Sequence, residues 1–81
     1  MNTNRRKFSR RPVDIKATVV GDSGMSRLAA AVLDLSESGV RVRLVEEELI
    51  PTECYILFGN RMEPCRLVWQ TSRSAGLVFT A

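Results

Sequence analysis

Residues 40–44, Val40-Arg41-Val42-Arg43-Leu44, alternate without exception, three apolar side chains on one face and two arginines on the other. A period of two belongs to a half-buried strand. The same signal recurs along the chain. In residues 13–20, Val13, Ile15, Ala17 and Val19 oppose Asp14, Lys16 and Thr18. Residues 26–35 follow, and although Leu28-Ala29-Ala30-Ala31 also suits a helix, the Val32-Leu33-Asp34-Leu35 that comes next favours a strand. Residues 54–58 are an unbroken apolar run fit for a central strand, residues 65–70 place Cys65, Leu67 and Trp69 on one face, and residues 75–80 complete the set. Gly21-Asp22-Ser23-Gly24, Ser36-Glu37-Ser38-Gly39 and Gly59-Asn60 supply the turns. Glu46-Glu47-Glu48-Leu49-Ile50-Pro51 breaks the pattern and is predicted to form one helical turn crossing between halves of the sheet, its acids a solvated edge. No helical period of useful length remains. Six short strands with close turns predict an all-β fold, a six-stranded antiparallel β-barrel whose closure removes exposed edges.

A chain of 81 residues makes one small domain, and 44% apolar with 26% charged residues marks it as globular. No apolar run approaches the roughly 20 residues of a spanning helix. The basic start is followed by alternating, charged residues rather than the apolar stretch of about 7–15 that a secretory signal needs, so a cytoplasmic location is expected. Two cysteines, Cys54 and Cys65, and no histidine cannot make a four-ligand zinc site or a Cys-x-x-Cys pair, and both are expected to be small buried apolar residues. With no nucleophile beside an evident base and no acid cluster at metal-ligand spacing, an enzyme is not expected, nor a metal or a cofactor.

Charge is segregated. Residues 1–16 hold six Lys/Arg against one Asp, whereas residues 17–81 hold six Arg against eight acids, so the net charge of +3 comes from the N-terminus. Arg5-Arg6-Lys7-Phe8-Ser9-Arg10-Arg11, closed by Pro12, reads as an anion-binding arm over residues 1–12, with the barrel domain over residues 13–81. The second chemical stretch is Asp34-Leu35-Ser36-Glu37-Ser38-Gly39. On an extended chain Asp34 and Ser36 point to one face and Leu33 and Leu35 to the core, while Gly39 permits a tight turn and close backbone approach. A carboxylate and a hydroxyl facing arginines can serve a base edge and phosphates; the alternative is that Asp34 and Ser36 cap a turn and the arginines form a solvated tail.

Arg6-x-x-x-Arg10 preceded by Arg5, followed by Asp34-x-Ser36-x-x-Gly39, resembles the paired signature of the PilZ domain. Pro64-Cys65-Arg66-Leu67-Val68-Trp69 and Ala75-Gly76-Leu77-Val78-Phe79 also resemble the last two strands of short stand-alone members. The resemblance implies a barrel that binds the bacterial second messenger cyclic di-GMP, commonly as an intercalated dimer, and relays binding to a protein partner. It assigns Arg6 and Arg10 to guanine and phosphate, and Asp34, Ser36 and Gly39 to the other guanine edge and the backbone. Arg5 and Arg11 would be supporting contacts. Trp69 is a secondary candidate for stacking, its place beside Cys65 and Leu67 favouring a core role. The chain ends at Ala81 without the C-terminal helix of many relatives, so an output that uses such a helix is not implied.

Arginine suits these roles because a planar guanidinium pairs bidentately with guanine O6 and N7, meets phosphate as a fork and stacks on a purine. An ionised carboxylate only accepts, so Asp34 matches the N1–H and N2–H donors of guanine. Two other readings stand beside a cyclic di-GMP receptor: a PilZ-like adaptor that recognises a protein without nucleotide, and a small RNA-binding barrel. The third is disfavoured because five aromatics give no stacking platform, so no nucleic-acid or membrane partner is expected.

Overall fold

The computed structural model describes residues 11–80, and of Arg11 the backbone alone. Six strands account for most of them: β1 (Arg11–Gly21), β2 (Ser26–Leu35), β3 (Gly39–Leu44), β4 (Glu53–Phe58), β5 (Arg61–Gln70) and β6 (Ser74–Phe79). They close into an antiparallel barrel in the order β1-β2-β3-β6-β5-β4, as the alternation predicts. β1 pairs with β2 on one side and β4 on the other, so no edge is left to recruit another strand. The strands begin up to four residues from their predicted starts: β1 takes in Arg11 and Pro12 from the predicted arm, and β5 starts at Arg61. The remainder of the arm, residues 1–10, lies outside the described residues.

The inward positions of every strand meet in one core. Val19, Val32, Val42 and Ile56 are wholly buried, with Leu44, Val40, Ala75 and Leu77 around them. Each such side chain contributes about 1.5–3 kcal/mol by leaving water. The alanines of β2 divide the same way, Ala30 in the core and Ala29 exposed. Strand pairing therefore overrides their helical propensity.

The connection between β3 and β4 is not the predicted helical turn; it is an extended strap. Ile50, 4% exposed, joins the hydrophobic core. Its N–H donates to the side-chain carbonyl of Gln70 at 3.0 Å, and the Gln70 amide donates to the Glu48 carbonyl at 2.6 Å. Those backbone groups are satisfied by a side chain from β5, and Pro51 biases Ile50 away from helical geometry. Among the described residues there is no α-helix, and none long and apolar enough to cross a membrane.

Cys54 and Cys65 are cross-strand partners on β4 and β5, both free and buried, as expected. Burial pushes both thiols up, Cys65 from 9.0 to about 12 with lesser contributions from Cys54 and Glu63. Two predictions follow from this core. Ile56→Ala should cost about 2–5 kcal/mol in urea unfolding, a large share of the about 5–10 kcal/mol available to a domain of this size, while Leu49→Ala, 86% exposed, should stay within about 0.5 kcal/mol. A thiol that holds its proton more tightly when folded lends stability that is complete below pH 9.0 and lost toward pH 12. Stability should accordingly fall through that window, and Cys65→Val should make the fall shallower.

Candidate functional site

Of three breaks in register, one in β1 between Pro12 and Ile15, the two in β2 and β5 decide which way Asp34 and Trp69 point. Across β2 and β3, Val32 pairs with Val42 and Asp34 with Arg41, leaving Leu33 as an extra residue. Across β5 and β6, Leu67 pairs with Leu77 and Trp69 with Gly76, leaving Val68 extra. An added residue inverts the alternation beyond it. In β2 this lets Val32 and Leu35, three positions apart, both reach the core, and Asp34 turns outward. In β5 it brings Trp69 out of the series begun by Cys65 and Leu67 and sends Gln70 toward Ile50.

The core role favoured for Trp69 is thereby corrected: the residue is 43% exposed and lies outside the core. It lies over Gly76, where an added Cβ would collide with indole Nε1 and stand 2.7 Å from Cε2. Gly76 is needed for want of a side chain rather than for its backbone angle. The paired residues form one row across four neighbouring strands, Asp34, Arg41, Gly76 and Trp69. At a strand spacing of about 4.8 Å that row spans about 14 Å.

Asp34 is 15% exposed and joined to Arg41, whose Nε donates to Oδ2 at 2.8 Å. It faces outward, as predicted, though by virtue of the bulge and not simple alternation. Ser36 does not stand beside it. Contrary to the expectation of a shared outer face, Ser36 is buried in the β2–β3 turn. Its Oγ accepts from Ser38 N–H at 3.3 Å and lies 3.2 Å from Ser38 Oγ and 3.4 Å from the Gly39 carbonyl. Ser36 N–H also donates to the Gly39 carbonyl at 2.9 Å, and Phe79 N–H to the Ser38 carbonyl at 2.8 Å, which fastens the turn to β6. Gly39 is required for close approach, as an added Cβ would meet the Leu77 carbonyl and stand 3.0 Å from Val78 Cα. Its φ is not positive, so the reason is space, not backbone freedom.

Of the predicted arm residues, Arg5, Arg6 and Arg10 lie outside the described residues. Arg11 opens β1 opposite Leu35, and Pro12 is opposite Asp34, so the chain enters the barrel beside the carboxylate. Arg41 and Gly76 were not singled out from the sequence. The signal for Arg41 was available, since a turn over Ser36–Gly39 with Leu35 opposite Val40 sets Asp34 opposite Arg41. A separate groove of about 600 Å³, lined in part by Val20, Gly21, Tyr55, Met62 and Pro64, contains none of Asp34, Ser36, Gly39 and Trp69.

The row sets an acid, a guanidinium, a bare glycine and a part-exposed indole on consecutive strands of a closed barrel, with Pro12 of β1 opposite the acid, groups that can accept from, donate to and stack on a planar molecule. The chain belongs to the PilZ domain family, whose model matches residues 4–81. That family is known for binding cyclic di-GMP, and its domains are binding modules rather than enzymes. Comparison with curated proteins gave no match.

The glycines separate two kinds of contact. Gly39→Ala should lower stability by about 1–3 kcal/mol because the new methyl meets backbone that cannot move aside. Gly76→Ala should leave stability closer to wild type and displace the indole, seen as a red shift in the emission of the single tryptophan.

Proposed function

We propose that this chain is a cyclic di-GMP receptor that orders its N-terminal arginines, Arg5, Arg6 and Arg10 with Arg11, against the outer row of the barrel when ligand binds, and signals that change to a protein partner. The observation that supports the reading is that β1 begins beside Asp34, with Pro12 opposite Asp34 and Arg11 opposite Leu35, and that Arg11 directly follows the arginine motif in sequence. Asp34 accepts from N1–H and N2–H of guanine, and the arginines serve the second edge and the phosphates. Ser36 and Gly39 act by holding the turn against β6, which fixes the end of β2 that bears Asp34. Trp69 offers its open face to a base.

Ordering six residues of an arm costs several kcal/mol at about 1 kcal/mol each. Charge-assisted contacts of about 1.5–3 kcal/mol apiece offset this once three or four form. Binding therefore depends on the arginines acting together.

Calorimetric titration with cyclic di-GMP, with GTP and cyclic di-AMP as controls, tests the reading. The receptor reading predicts saturable heat for cyclic di-GMP, quenching of the single tryptophan's emission, and slowed amide exchange in residues 5–11. Asp34→Asn should weaken binding roughly ten- to hundredfold with the fold intact. Arg6→Lys or Arg10→Lys should fail nearly as badly as alanine, because lysine neither forks nor stacks. An absence of heat with cyclic di-GMP would favour an adaptor that works without nucleotide.

A further inference from the structure

Arg41 belongs to neither motif, yet among the described residues it is ion-paired to the acid on which guanine recognition rests. Resting on the receptor reading, we propose that Arg41 is the positioning residue for Asp34, holding its carboxylate in the orientation that selects guanine. The pair is built by the fold. Val40 and Val42 are buried on either side of Arg41, so its backbone is anchored and its side chain is directed outward. The Leu33 bulge brings Asp34 into register with it, and the Nε–Oδ2 contact of 2.8 Å is a short charge-assisted bond. Asp34 is 15% exposed against 43% for Arg41, so the carboxylate is the more enclosed partner and the guanidinium reaches past it to solvent.

Positioning fits this geometry better than competition for the acid. A carboxylate has about four acceptor sites and Arg41 Nε occupies one of them, so holding Asp34 and letting it accept from a base edge are compatible. Without Arg41 the carboxylate loses the short bond that sets the direction of Oδ2, and the angle offered to N1–H and N2–H is less closely held. Discrimination suffers before affinity vanishes, because selecting guanine over adenine depends on two aligned acceptors, whereas attraction to the arginines does not. Arg43, two residues on along the same strand and face, supplies an internal control: it is exposed and has no ion pair among the described residues.

The test measures cyclic di-GMP and cyclic di-AMP affinity for wild type, Arg41→Gln, Arg41→Lys, Arg43→Gln, Asp34→Asn and the Asp34→Asn/Arg41→Gln pair, with melting temperatures for each. Arg41→Gln should bind cyclic di-GMP about tenfold more weakly, a loss near 1.4 kcal/mol, and its preference over cyclic di-AMP should narrow. Arg41→Lys should recover to within about threefold of wild type, because the contact is one nitrogen to one oxygen rather than a fork. Arg43→Gln should change binding less than about twofold, in keeping with a screened surface charge. The double variant should bind no more weakly than Asp34→Asn alone, since Arg41 acts through that acid. An Arg41→Gln variant with wild-type or tighter binding overturns the proposal, as do single losses that multiply in the double variant. Should Arg41→Gln fail to fold, an Arg41→Lys variant with unrestored binding overturns it too. A wild-type chain that gives no binding removes the receptor reading and this proposal together, whereas wild-type binding matched by Arg41→Gln removes this proposal alone.

Discussion

The outer surface of this barrel depends on two extra residues. A strict alternation along β2 that sends Leu28, Ala30 and Val32 inward would bury Asp34 as well, and one along β5 that sends Cys65 and Leu67 inward would bury Trp69. An ionised carboxylate in such a core is prohibitively costly without a partner, so the register must break. It breaks at Leu33 and at Val68, each one residue before the side chain that emerges. The cost is local disruption of the ladder. The outcome is a row in which an acid, an arginine, a bare glycine and an indole occupy consecutive strands.

Within the stretch from Asp34 to Gly39 the labour is divided. Ser36 satisfies the turn internally and Gly39 removes the one atom that would keep β3 from closing on β6. Asp34 faces outward at the start of this stretch, and it does so joined to Arg41. The charge map complements this arrangement. The body, with eight acids against six arginines beyond residue 16, supplies acceptors and shape, while the first 16 residues supply the cations.

How much of this was legible in the sequence follows from the reach of a period of two. Alternation is a local rule, and it located all six strands and the barrel class because most of each strand obeys it, β3 most plainly. It failed where a single residue breaks phase: Val68 carries no mark distinguishing it from a regular strand residue, so Trp69 was assigned inward. Asp34 was assigned correctly by counting from Leu33 and Leu35, although Leu33 is the bulge itself. Ser36 was misplaced because the two-residue spacing from Asp34 crosses from strand into turn, where alternation no longer applies. The strap at residues 46–51 was misread because its backbone partners come from Gln70, twenty residues away from Ile50. The role of Gly39, close approach, is legible from its place in the turn, whereas that of Gly76 comes from an indole whose direction the sequence conceals.

The central claim is that the nucleotide sits on the row from Asp34 to Trp69 with the N-terminal arginines over it. Amide and indole chemical shifts of labelled protein, followed through a cyclic di-GMP titration, address it most directly. The account predicts saturating shifts at the Trp69 indole N–H, the Asp34, Arg41 and Gly76 amides and residues 5–11, with the groove lined by Val20, Tyr55 and Met62 unmoved. Shifts confined to that groove, with the indole and residues 5–11 unchanged at saturation, would contradict it.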